Sequence, residues 1–279
     1  MIDFVEDTPR EFWSEDEVIF LKDNYGKNSL HYIASNLQRD YQSVQNKLKH
    51  MGLNGGYRKS VNHDFFKTWS PDMAWCLGLL ATDGSITSQK NVYNNEPVRK
   101  TIQLGSTDSE IVEKFVKFIN STYKIGKEEV RHTGFGDTGP FYNTCILSNN
   151  IYDDLISLGV IERKSLVMDF PTNYPVEYMA DYIRGLWDGD GSIKLIDNKY
   201  IQCAFHSGSE QFISSIADEI SKITSSEIDY KFRSTVFVIN ICGDNARKLC
   251  RYIYHDKMGD AYLTRKYNVW LKYKDMKGD

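Results

Sequence analysis

Two hundred residues of this chain repeat one plan twice. Cys76-Leu77-Gly78-Leu79-Leu80-Ala81-Thr82-Asp83-Gly84-Ser85-Ile86 and Ile183-Arg184-Gly185-Leu186-Trp187-Asp188-Gly189-Asp190-Gly191-Ser192-Ile193 each run from an apolar stretch through a glycine to a closing Asp-Gly-Ser-Ile. The first comes after Ser70-Pro71-Asp72, which supplies a cap, a first-turn proline and a first-turn acid for a helix; the second comes after Pro175 and Glu177. Internal duplication constrains the architecture more than any composition does, because each copy must be one folding unit and the two must bury a common surface.

The segments beyond the two helices also match. Alternating, strand-like stretches come next, Thr101 to Ser106 and Tyr200 to His206, then helices from about Ser109 to Ser121 and Glu210 to Ser221. Further strands (Tyr142 to Ser148, Thr235 to Ile241) lead to helices near Ile151 to Leu158 and Asn245 to Tyr254, and the copies close on Glu162-Arg163-Lys164 and Thr264-Arg265-Lys266. The two glycine-containing segments, each opening an αββαββα unit, resemble the LAGLIDADG homing endonucleases over about residues 70–279. Copy two fits closely; copy one has Ala81 at the sixth position in place of an acid, yet keeps Asp83 at the eighth. The resemblance implies an α+β fold, a duplicated αββαββα chain with two pseudo-symmetric saddle-shaped sheets, that cuts a long, asymmetric double-stranded DNA site as a monomer.

The motif has its own physical logic. Gly78 and Thr82, like Gly185 and Gly189, lie four residues apart and so share a helix face, allowing two such helices to approach backbone to backbone. Helices paired about a pseudo-twofold axis would bring Asp83 and Asp190 together at their C-terminal ends. Like charges at helix C-termini are unfavourable without a cation, so Mg²⁺ or Mn²⁺ is expected between them, where it suits phosphodiester hydrolysis. The resemblance further implies a basic residue near the scissile phosphate, for which Lys164 and Lys266, equivalent in the repeat, are candidates; surface bases contacting phosphate at a distance would look the same. Arg163 and Arg265 beside them, and Gln103 and Gln202, which match each other by their Ile-Gln strings, are candidate DNA contacts.

Ahead of the repeat, residues 12–53 carry three short helical periods. Ser14 and Glu17 form a capping-box pattern, with Gly26 as the stop; Ser29 opens a second helix with Ile33, Ala34 and Leu37 inward; a third runs from about Tyr41 to Met51. With Trp13 early, this segment resembles the Myb/SANT-like helix-turn-helix modules. That resemblance implies a tri-helical, all-α DNA-binding domain whose third helix presents Gln42, Gln45, Asn46 and Lys49 to base edges and phosphates; a solvated face of a protein-binding module is the plainer alternative. The expected division is residues 1–54 for this domain, 55–69 for a linker in which Arg58 and Lys59 could contact phosphate, 70–170 for the first repeat and 171–279 for the second.

A net charge of −4 argues against uniform phosphate affinity, but basic charge is local: Arg39, Lys47, Lys49, Arg58 and Lys59 face a single acid, Asp40, between positions 39 and 59. Five cysteines without CxxC spacing read as reduced core thiols. The histidines lack zinc spacing, and His63 lacks the partners of an HNH nuclease. No secretory signal and no apolar run of ~20 residues is present, so no membrane partner is expected and a cytoplasmic location (bacterial, phage or organellar host) is the default. Two other functions fit the same pattern: a catalytically inactive LAGLIDADG-fold transcription regulator, and an RNA maturase assisting intron splicing.

Overall fold

The computed structural model describes residues 12–25, 28, 30–53, 59–90, 97–133, 136–171 and 174–278. They fall into two compact units, Met1–Ser60 and Val61–Asp279.

In the first unit, helices α1 (Glu15–Asn24), α2 (Leu30–Asn36) and α3 (Tyr41–His50) enclose Leu21, Ile33, Ala34, Val44 and Leu48. The capping box forms as the sequence indicates: Ser14 Oγ accepts from the Glu17 amide at 3.2 Å, and Glu17 Oε2 accepts from the Ser14 amide at 2.8 Å. Glu17 also receives Arg39, whose guanidinium lies 4.4 Å from the centre of the Trp13 ring, and this pairing holds the Glu17 carboxyl down at about 2. Tryptophan, arginine and glutamate thus lock the start of α1 to the loop before α3. Met51 and Gly52, the latter at φ +71°, end α3. Gly26, Ser29 and Arg58 lie outside the described residues. Removing the cap with Ser14→Ala costs about 1 kcal/mol locally, so hydrogen exchange of the first α1 amides should quicken about fivefold; unchanged exchange would show that the cap holds nothing.

The second unit contains both repeats. The first comprises α4 (Pro71–Thr82), β1 (Gly84–Lys90), β2 (Pro97–Ser106), α5 (Ser109–Phe118), β3 (Ile125–Glu128), a hairpin of β4 (Arg131–Thr133) and β5 (Gly136–Thr138), β6 (Phe141–Leu147) and α6 (Asn149–Ser157). The second comprises α7 (Met179–Gly189), β7 (Ser192–Ile196), β8 (Tyr200–Ser207), α8 (Glu210–Thr224), β9 (Tyr230–Arg233), β10 (Val236–Cys242), α9 (Gly243–Ile253) and α10 (Thr264–Lys277). Each gives a four-stranded antiparallel sheet of the same order, β1-β2-β6-β3 and β7-β8-β10-β9.

Period-two alternation leaves each sheet with one covered and one open face. In β8, Ile201, Cys203 and Phe205 are fully buried, whereas Tyr200, Gln202 and His206 point the other way. In β10, Ile239 and Ile241 are buried while Asn240 and Cys242 are exposed. Cys242 and Cys145 are therefore not the core thiols expected; Cys76, Cys203 and Cys250 are. The stretch assigned to a linker is folded from Val61 onward. Val61 and Phe66 are buried, the Asn62 amide donates to the Ile119 carbonyl, and His63 Nδ1 lies 2.7 Å from Ser148 Oγ.

Candidate active site

Helices α4 and α7 meet along their backbones, and glycine makes this possible. A Cβ on Gly78 would lie 2.4 Å from the Tyr182 carbonyl oxygen, and one on Gly185 would lie 2.2 Å from that of Trp75. One turn on, Gly189 faces Thr82, where a Cβ would come within 2.0 Å of Thr82 Oγ1; that hydroxyl turns back onto the carbonyls of Gly78 and Leu79. The four positions singled out for close helix approach form the contact. Trp75 Nε1 adds a bond across it, donating to Asp188 Oδ2 at 2.8 Å, and the same oxygen accepts from the Leu263 amide at 2.9 Å. The acid that copy one lacks at Ala81 is thus a buried tie in copy two, with a structural partner on each side.

With the helices in contact, their C-caps come together, and those caps are Asp83 and Asp190. Burial, and after it the charge of Asp190, pushes the Asp83 carboxyl up to about 7. Burial also raises Asp190, against the opposing pull of Lys164, Lys266 and His206. Both lysines are buried, not surface bases. Lys164 Nζ donates to the carbonyls of Thr82 (2.8 Å) and Gly84 (2.5 Å), and Lys266 Nζ to those of Trp187 (2.5 Å), Asp188 (2.9 Å) and Gly191 (2.7 Å). Each ammonium caps the C-terminus of its own motif helix, offsetting the negative end of the dipole. Burial lowers both, Lys266 to about 8.

The site opens through a cleft on each side. Beside Asp83 lies one of about 450 Å³, bordered by Ser85, Gln103, Glu128, Arg131 and Asn143; beside Asp190 lies one of about 250 Å³, bordered by Thr82, Lys164, His206 and Ser207. Gln103 and Gln202 both lie on the open faces of their sheets, but they are not equivalents. Ser85 pairs with Gln103, whereas its counterpart Ser192 pairs with Ala204, so the partner of Gln202 in the first repeat is Thr101. Arg163, in the left-handed region at φ 55°, is exposed. Arg265 is held by Asp108 (Nη2 to Oδ2, 2.7 Å), and next to it Thr264 bonds Glu110, so this end of α10 joins the repeats. In the first unit, Gln42, Asn46 and Lys49 are exposed on α3 opposite Val44 and Leu48, with Gln42 Nε2 3.2 Å from both Gln45 Oε1 and Asn46 Oδ1; Lys59 is exposed too. The sequence alone did not point to the buried pair Arg184 and Asp181, joined at the surface side by half-buried His255. Arg184 donates to the carbonyls of Ala261 and Ile253 and to Asp181 Oδ1 (2.5 Å), and His255 Nε2 lies 3.0 Å from the same oxygen. Its only sequence signal is a charged residue inside an apolar motif.

Among the described residues, no three His, Cys, Asp or Glu side chains converge on one point. Two carboxylates with raised affinity for protons do meet at the helix ends, and as oxygen ligands they fit an oxygen-seeking divalent cation that takes its other ligands from water and phosphate.

Two αββαββα halves joined at paired motif helices define the LAGLIDADG meganuclease fold. The homing endonuclease I-WcaI, bound to its DNA recognition sequence, has this fold with a TM-score of 0.50 and 12% identity, over 74% of this chain and 90% of that one. The LAGLIDADG meganuclease I-CpaMI bound to uncleaved DNA aligns with a TM-score of 0.45 at 11% identity (76% and 93% of the two chains), and full-length DUF199/WhiA from Thermatoga maritima with 0.43 at 9% (77% and 65%). No family model and no curated protein matches the sequence. No described helix is long and apolar enough to cross a membrane.

Proposed function

We propose that this chain is a site-specific, divalent-metal-dependent DNA endonuclease that acts as a monomer on a long, asymmetric duplex. The observation that carries this reading is the meeting of Asp83 and Asp190 at the paired ends of α4 and α7, between two open-faced sheets. Asp83 and Asp190 would hold Mg²⁺ or Mn²⁺, which when bound makes a water acidic enough to attack and neutralises charge on the scissile phosphate. The chain's own groups do the rest. Lys164 and Lys266 favour the ionised carboxylates and fix the helix ends that carry them. Gln103, Gln202 and the other polar side chains of the open faces reach toward base edges, while Arg163 would meet phosphate and Arg265 would do so only by leaving Asp108.

The N-terminal unit adds a second reader, with Gln42, Gln45 and Asn46 aimed at bases and Lys49 at a phosphate. Lys49→Ala should then make the dependence of log affinity on log salt shallower by about 0.9, measured by anisotropy on labelled duplex; an unchanged slope would remove Lys49 from the interface.

The deciding experiment is incubation of the full chain with a randomised duplex library in Mg²⁺. Recovery of a cleaved, long consensus supports the reading, with no product in chelator. Selective binding without scission would instead support a regulator, and activity confined to splicing of a host intron RNA would support a maturase.

A further inference from the structure

At one pair of equivalent positions beside the two acids, the clefts carry different residues. Ser192 pairs with Ala204, so two steps back along the first strand and two on along the second bring Asp190 level with His206. By the same count, from the Gly84–Leu104 pair, Asp83 is level with Gly105. His206 is exposed on the open face and borders the Asp190 cleft together with Lys164. Gly105 has no side chain, and a Cβ there would fall 2.5 Å from the Phe141 ring, over which Arg131 lies at 3.7 Å, so that ring would have to move to admit one.

Resting on the endonuclease reading above, we infer that His206 donates a hydrogen bond to a non-bridging oxygen of the scissile phosphate in the Asp190 cleft, a contact the matching position Gly105 cannot make in the Asp83 cleft, so that the two strands are cut at unequal rates. His206 is a phosphate-positioning residue that serves one strand.

The test uses the full chain and a duplex recovered by wild-type cleavage from the randomised library, carrying a different dye on each 5′ end. His206→Ala should slow one strand by about tenfold or more, the scale of one hydrogen bond to a charged group, and change the other by no more than about twofold. His206→Arg, which keeps a donor, should recover most of the lost rate, and both variants should melt and bind duplex in chelator as wild type does. Equal slowing of both strands, no slowing, or a loss that Arg does not rescue would overturn the inference while leaving the endonuclease reading intact. A wild-type chain that cuts neither strand would overturn both.

Discussion

Asp83→Asn and Asp190→Asn should each abolish double-strand scission, lowering the rate by roughly 10³-fold or more, because on the proposed function several kcal/mol of charge stabilisation at the phosphate depend on cations that a neutral amide holds far more weakly than a carboxylate. Duplex binding in chelator should persist, since the open sheet faces are untouched. The same substitution has a second, opposite consequence. Asp83 titrates at about 7 in the fold against 3.8 for an unperturbed carboxyl, so the folded state binds its proton more tightly than the unfolded chain does. The resulting penalty is absent below about pH 4, grows as pH rises, and is fully present above about 7. Metal-free protein should therefore be stabilised by Asp83→Asn more at pH 8 than at pH 5, by a difference of roughly 2–3 kcal/mol, measured by denaturant unfolding in chelator. Because a proton and Mg²⁺ compete for the same carboxyl, the Mg²⁺ concentration needed for half-maximal cleavage should rise as pH falls. An Asn variant whose gain over wild type is the same at both pH values would mean that the carboxyl is not confined as described.

The second large effect concerns the helix pair. Gly185→Ala and Gly78→Ala each push a methyl into a carbonyl oxygen or amide of the partner helix, where a side chain cannot swing away, and neighbouring backbone must move instead. We expect each to cost about 3 kcal/mol or more, at the upper end of overpacking penalties, with separation of Asp83 from Asp190 as the structural result. Gly139→Ala, where nothing lies within 4 Å, is the control and should be near neutral. Denaturant unfolding measures both; equal stability of Gly185→Ala and Gly139→Ala would contradict a backbone-to-backbone contact.

The parts of this structure that can be read from the sequence are those in which backbone chemistry dictates residue type. Gly78, Gly185 and Gly189 are required by close approach, and Ser70, Ser14 and Glu17 by orphan amides at helix starts, so their spacing carries over directly into structure. Asp83 and Asp190 are legible because they terminate the same helices. Strand register misleads for a physical reason. The string Ile-Gln occurs in both β2 and β8, but the β1–β2 connection is longer than the three-residue turn after Ile196, and the equivalence slips by two. A better anchor is Ser106 and Ser207, each accepting from the amide two residues on, Asp108 and Ser209. Burial of Lys164 and Lys266 is hidden in the sequence because lysine is ordinarily a surface residue; only the carbonyls left open at the ends of α4 and α7 explain why an ammonium is enclosed there. His206 has no signal at all outside the register that sets it level with Asp190.

Anomalous diffraction from Mn²⁺, in crystals of the full chain bound to its selected duplex, tests the shared cation site most directly. The account predicts metal density within coordination distance of Asp83 and Asp190, where the duplex backbone passes them. Duplex seated across both sheets with no metal at those two side chains, or metal bound elsewhere during productive cleavage, would contradict it.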